Sequence, residues 1–243
     1  MVDEFHHRAW GQQATAFRTA AVQAGPEAAV PSCPGWDVRK LVRHVGRVYA
    51  MVLLALELEP GGQRPRPSAP PEGFDEALSW FDDRLAELGT ALSAADSARP
   101  VWGFFPGATA GSWTRRMAHE TAVHRLDAAL ASGSGHELIF DPELAADGVD
   151  EMLRVMAPLG DWSERSAQGR VLYHAADAGR AWLVRFEPGE APEVGEPVGP
   201  ALDSEVDTTV TGTADTLYRQ VWGRSSTAVV TGDAALADVV AGR

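Results

Sequence analysis

The sequence predicts a two-domain α+β protein, with a four-helix bundle over residues 1–150 and a small α+β unit over residues 151–243. Three observations carry that prediction. Four segments of the first half place apolar residues at alternating three- and four-residue intervals, the signature of helices with one buried face. Proline- and glycine-bearing connections of varied length separate them, as in a bundle whose helices are joined by loops rather than by strands. Past about residue 140 the pattern changes to short alternating runs around turn signals, which read as strands.

The first helix is expected over residues 3–24, where Phe5, Ala9, Ala14, Phe17, Ala21 and Ala24 recur at near-helical spacing, and Gly25-Pro26 stops it. Val30-Pro-Ser-Cys-Pro-Gly-Trp-Asp37 follows, an irregular stretch that ends on Asp37 as N-cap of a second helix reaching about residue 58. Leu41, Val45, Val48, Val52 and Ala55 mark its buried face. The connection over residues 59–73 is rich in proline and glycine and is expected to be exposed and mobile. The third helix keeps the clearest rhythm, through Phe74, Ala77, Leu78, Phe81, Leu85, Leu88 and Leu92. A long loop over residues 96–112 carries Trp102, Phe104 and Phe105, which either line a cleft or pin the loop. The fourth helix runs from Trp113 to the Gly133-Ser-Gly135 stop.

A fifth helix is expected over residues 142–156, capped by Asp141 with proline in its first turn. Residues 170–175 and 181–186 flank Asp177-Ala-Gly-Arg180 as a hairpin. Two later stretches, residues 206–214 and 228–234, echo each other: a strand, a Thr-Gly turn, then Thr or Asp as N-cap of a helix.

Composition excludes several classes of function. The formal charge is −13 and the pI is near 4.9, which opposes a nucleic-acid surface and electrostatic docking on anionic lipid. No stretch approaches the ~20 apolar residues of a membrane span. The first residues lack the basic-then-apolar layout of a signal peptide, and the single cysteine, Cys33, excludes an internal disulfide. A cytoplasmic protein acting on small molecules is the expectation. Nothing in the sequence sets an oligomeric state.

The chemistry-bearing stretch is the fourth helix. Glu120 and His124 are four residues apart and leave one face a turn apart, beside the apolar stripe of Val123, Leu126 and Leu130. A carboxylate and an imidazole beside an apolar stripe are costly to bury without a partner, and a divalent metal is a natural one. His44, on the inward face of the second helix, supplies a third ligand. Two imidazoles and one carboxylate suit Zn²⁺ or another first-row divalent ion and leave a coordination position open. The alternative for the Glu-x-x-x-His pair alone is an ordinary surface hydrogen bond.

Cys33-Pro-Gly-Trp-Asp-Val-Arg-Lys-Leu-Val-Arg-His44, taken with His119-Glu120-Thr-Ala-Val-His124-Arg-Leu-Asp127, resembles the mycothiol-dependent maleylpyruvate isomerase family, part of the wider DinB-like group of thiol-dependent metalloenzymes. The resemblance implies a DinB-like bundle, His44, Glu120 and His124 as metal ligands, and a sterol-carrier-like second domain. It also implies mycothiol as the thiol co-substrate of an isomerase or S-transferase, on a small electrophilic, carboxylated substrate. The stretch Asp215-Thr-Leu-Tyr-Arg-Gln-Val-Trp-Gly-Arg224 lies where family members bring a basic residue toward the metal, so Arg219 and Arg224 become candidates for a substrate carboxylate. A metal-dependent hydrolase using activated water, and a non-catalytic metal-stabilised binding module, stay open beside it.

The remaining motif residues have plainer readings. His119 points about 100° from Glu120 on a helix and is read as a supporting or surface residue. Asp127 orients a neighbour or sits in a solvated groove. His6 and His7 are expected to be exposed, and His136 and His174 structural. Cys33 is expected as a buried small hydrophobe, since the loop before the second helix would have to fold back to reach His44. Trp36 is expected to pack the start of that helix.

Overall fold

A computed structural model describes residues 2–197 and 206–241. They form two compact units, Met1–Leu138 and Ile139–Arg243.

The first unit is the expected four-helix bundle. Helices α1 (Val2–Ala24), α2 (Val38–Ala55), α3 (Phe74–Ala94) and α4 (Ala110–Ala131) pair as α1 along α4 and α2 along α3. Asp37 caps α2 as expected, its side chain accepting from the Lys40 backbone N–H at 2.8 Å. Gly46 lets α2 and α3 approach closely: a Cβ there would stand 2.9 Å from the Trp80 ring. The core fills with Trp10, Phe17, Leu41, Tyr49, Phe81, Leu88 and Trp113, all under 2% exposed.

Helix α4 begins three residues earlier than its apolar rhythm suggests. Thr109 and Ser112 form a reciprocal capping box, each side chain bonding the other's backbone N–H. It is buried nearly all round, so its apolar residues do not gather into one stripe. Its polar residues therefore need partners inside the protein.

The aromatic loop before α4 is pinned by its own side chains. Trp102 and Phe105 are buried against Trp113, whose indole donates to the Trp102 carbonyl at 2.8 Å. Trp102 also anchors the proline-rich connection, donating from its backbone N–H to the Leu58 carbonyl at 2.8 Å and from its indole to the Gly62 carbonyl at 2.9 Å. The far end of that connection is held by Arg43, which donates to the Pro70 carbonyl at 3.4 Å and pairs with Glu72 at 2.6 Å. Pro65 and Pro70 are buried. The expectation of a free linker is corrected: it is a strap tied down at both ends.

The second unit combines α5 (Pro142–Glu151), α6 (Ala214–Val221) and α7 (Ala234–Asp238) with a five-stranded sheet, ordered β3-β2-β1-β4-β5. The strands are β1 (Gly169–Ala175), β2 (Arg180–Phe186), β3 (Glu193–Gly195), β4 (Thr208–Gly212) and β5 (Val229–Gly232). β1 and β2 form the expected hairpin, with Val171 opposite Val184 and Tyr173 opposite Trp182. β1 runs parallel to β4, and the outer pairs are antiparallel. Thr213 and Asp233 cap α6 and α7, as the two echoing stretches predict. Helix α5 lies in this unit against α6, so a division after residue 150 would cut it before its end. A π-helical turn (Met152–Met156) and a 3-10 turn (Ala157–Leu159) carry the chain on from it. Among the described residues no helix is long and apolar enough to cross a membrane.

Candidate metal centre

Helices α2 and α4 bring His44, Glu120 and His124 together, one ligand atom of each lying within 4.8 Å of the others. His44 Nε2 stands 3.1 Å from Glu120 Oε1, and His124 Nε2 stands 3.3 Å from that same oxygen. Behind His124, its Nδ1 lies 2.8 Å from Asp127 Oδ2. The buried carboxylate can only accept, so Nδ1 carries the proton and donates it. That leaves His124 Nε2 facing a carboxylate oxygen. Two lone pairs repel unless a cation sits between them, either a second proton or a metal ion.

The donor set fits a divalent metal. Ligand atoms 2.0–2.1 Å from a tetrahedral ion stand about 3.3 to 3.4 Å apart, and the two observed N···O separations are 3.1 and 3.3 Å. A histidine whose second nitrogen donates to a carboxylate is the usual supporting arrangement of a metal-binding imidazole.

Glu120 is held by more than the two histidines. Arg116, one turn before it and 3% exposed, donates to its other oxygen, Oε2, at 3.0 Å. Burial works to raise the Glu120 carboxyl. Hydrogen bonds from His124 and His44, with the charges of His124 and Arg116, outweigh it and hold the group well below the usual carboxylate range. Burial likewise works to lower His124, but hydrogen bonds to Asp127 and Glu120 and their charges push it up to about 9. The site concentrates negative potential on His124.

Several supporting residues are not visible in the sequence. Ser32 donates to Asp127 Oδ1, and the Cys33 thiol lies 3.6 Å from Asp127 Oδ2. The loop before α2 therefore does fold back, and Cys33 is a half-buried thiol on a carboxylate, not a buried hydrophobe. What brings it back is a tight turn around Gly35, at φ +80°, where the Trp36 and Cys33 backbones bond. Trp36 does more than pack the start of α2: its ring stacks on His124 at 6.5 Å and meets His44 edge-on at 5.0 Å. The Arg116–Glu120 pair was accessible to sequence reasoning, since i,i+4 opposite charges on a helix are a known signal.

The other histidines divide. His119 is fully buried and its ring meets that of His6 at 6.2 Å. His6 is 3% exposed, which corrects the expectation that it faces solvent: the first turn of α1 packs on α4. His44 keeps about a third of its side chain exposed, so the site opens at that edge.

Arg219 and Arg224 lie in the second unit. Arg219 donates to Asp215 at 2.9 Å, and Asp215 also accepts from the Phe140 backbone at 3.0 Å. Gly223, at φ +71°, closes α6 with the paired backbone bonds of a Schellman motif, the Arg224 N–H reaching the Arg219 carbonyl at 2.8 Å. The Arg224 side chain donates to the Trp222 carbonyl at 2.6 Å.

Comparison with known proteins shows the family and the fold. Residues 7–129 match the sequence profile of the mycothiol maleylpyruvate isomerase N-terminal domain, and residues 143–238 match that family's C-terminal domain. Two crystal structures share the fold across 94% of this chain and 92% of theirs. They are a mycothiol-dependent maleylpyruvate isomerase (TM-score 0.56, 12% identity) and a histidine-to-alanine variant (TM-score 0.59, 11% identity). No curated protein sequence matches the chain. With the two family profiles spanning most of its length, this chain belongs to the mycothiol maleylpyruvate isomerase family, a family of enzymes.

Proposed function

We propose that this protein is a divalent-metal-dependent isomerase or S-transferase that uses mycothiol, with His44, Glu120 and His124 as the metal ligands. Its substrate is a small, electrophilic, carboxylated molecule. The observation that carries this reading is the convergence of two imidazole nitrogens on one Glu120 oxygen, with Asp127 fixing the outer nitrogen of His124. Family membership supports the thiol and the reaction class. We further infer a cytoplasmic enzyme and take the two compact units as its two domains, the first holding the metal centre.

A Zn²⁺ or other first-row divalent ion held by these three residues would supply a Lewis acid that lowers the pKa of a thiol toward neutrality. The chain's own residues prepare that chemistry. Asp127 holds His124 in the tautomer that leaves Nε2 free to ligate. Arg116 occupies Glu120 Oε2, which directs Oε1 toward the two histidines. Trp36 covers both imidazoles with an apolar ring. The lone cysteine sits on Asp127, so the attacking sulfur comes from the small thiol. Arg219 and Arg224 are the second unit's candidates for a substrate carboxylate, with Arg219 already paired to Asp215.

Assay of a cis-unsaturated keto-dicarboxylate with and without mycothiol tests the reading. Turnover that needs both metal and thiol is the expected result. Thiol-independent loss of substrate with uptake of water would replace this reading by the hydrolase one.

A further inference from the structure

The first unit carries a pocket that opens onto His44 and extends away from Glu120 and His124, neither of which lines it. Its volume is about 510 Å³, within the range of small-molecule sites. One wall is α2, where His44, Arg47, Val48 and Met51 follow one another at helical spacing on one face. The opposite wall is the strap, through Arg64, Pro65, Arg66 and Pro67.

The local sequence explains the wall's shape. In Arg64-Pro-Arg-Pro67 each arginine precedes a proline, and a residue before proline is driven into extended conformations. Proline fixes its own φ as well. The segment is therefore stiff before it meets the bundle. Burial of Pro65, the Trp102–Gly62 bond and the Arg43 clasp on Pro70 and Glu72 hold it there.

The charge pattern is unusual for this chain. It carries 34 acidic against 21 basic residues. Yet among the described residues no carboxylate pairs with Arg47, Arg64 or Arg66. Five other arginines of the first unit have found one: Arg18 with Asp82, Arg39 with Asp37, Arg43 with Glu72, Arg84 with Glu87 and Arg116 with Glu120. The three arginines are exposed and line one space, where their shared positive charge favours an anion. Apolar Val48, Met51 and the two prolines line the space between them. That combination suits a short carbon skeleton with carboxylates at its ends.

We propose that Arg47, Arg64 and Arg66 form an anion subsite that binds the carboxylates of a small dicarboxylate and presents its carbon chain to the His44 edge of the metal centre. Guanidinium groups grip planar carboxylates in paired hydrogen bonds. Their positive potential also steers an anion toward an otherwise acidic protein. Anion binding here stands on the pocket alone; its use in positioning the electrophile rests on the isomerase or S-transferase reading.

The test is calorimetric titration of the full-length protein, as purified, with maleate at low salt. Arg47→Gln and the double variant Arg64→Gln/Arg66→Gln should each weaken maleate by about tenfold or more, with metal content unchanged. Arg18→Gln removes the same charge far from the pocket and should leave affinity within about twofold. Maleate affinity that survives the pocket variants, or is lost only in Arg224→Gln, would overturn the proposal. Inorganic phosphate binding as tightly as maleate would overturn the dicarboxylate assignment. No thiol or turnover enters this readout. If the thiol reading fails, mycothiol leaves turnover unchanged while the pocket variants still weaken maleate.

Discussion

Asp127 Oδ2 takes the Nδ1 proton of His124 at 2.8 Å, three residues along the same helix, and is itself fully buried. This bond decides which His124 nitrogen faces Glu120. Asp127→Asn keeps the shape but offers an amide that can present either N or O to the ring, so the imidazole is free to turn or change tautomer. Loss of such a supporting carboxylate typically costs roughly 10- to 100-fold in metal affinity. Competition with a calibrated chelator should show that loss, and an affinity equal to wild type would remove Asp127 from the account.

Metal loading should depend on pH through His124. Its pKa is raised from 6.5 to about 9 in the metal-free fold, so at neutral pH a proton occupies the nitrogen the metal needs. Apparent metal affinity should therefore climb from pH 6 to about 9 and flatten above it. Stability of the metal-free protein runs the other way. A folded-state pKa above the unfolded value contributes stability that is fully present below 6.5 and is lost as pH rises through about 9. Chelator competition and thermal melts across pH 6–10 read the two trends, and a flat affinity profile would contradict the first.

Behind the candidate metal centre runs a buried chain of hydrogen bonds. The Trp10 indole donates to Tyr49 Oη at 2.9 Å, Tyr49 to Thr121 Oγ1 at 2.6 Å, and Thr121 to the Met117 carbonyl at 2.7 Å. Tyr49 is fully buried and its phenol is pushed far above its ordinary value, chiefly by burial, so it stays a donor. Tyr49→Phe strands the Trp10 N–H without an acceptor, at a cost of about 1–3 kcal/mol. Urea unfolding should show that loss with metal content unchanged. An unchanged midpoint would mean the chain of bonds contributes nothing net.

The arrangement of elements was legible where one period ruled a segment. Leu41-Val45-Val48-Val52 and Phe74-Leu78-Phe81-Leu85 each mark a single apolar face, and both became helices. The cap signals at Asp37, Asp141, Thr213 and Asp233 were equally local. The spacing of Glu120 and His124 was readable because a helix places i and i+4 side by side. What failed to show were contacts between distant residues. Ser32 and Cys33 reach Asp127 from about 95 positions away, and no spacing rule links a loop to a helix face. The strap read as a free linker because composition reports local stiffness, while Arg43 and Trp102 supply the anchoring from elsewhere. β3 is only three residues long and its pairing to β2 carries no periodic signal.

Arg116 tests whether Glu120 needs its second oxygen held. Arg116→Met keeps an unbranched apolar stem and removes the guanidinium, leaving Oε2 without its 3.0 Å donor in a largely buried site. Breaking a buried pair by removing one partner costs about 3–5 kcal/mol, and a bound metal offsets part of that by neutralising the carboxylate. The variant should therefore melt well below wild type without metal and closer to it with metal. Equal losses in both states would place Arg116 outside the metal centre.

The most direct test is metal content, measured by plasma mass spectrometry on protein purified without an affinity tag or chelator. His44→Ala, Glu120→Ala, His124→Ala and His119→Ala are measured beside it. About one equivalent of a divalent metal in the wild type, lost in the first three variants and kept in His119→Ala, is the predicted result. No metal in the wild type after incubation with Zn²⁺, or equal metal in all four variants, would contradict it.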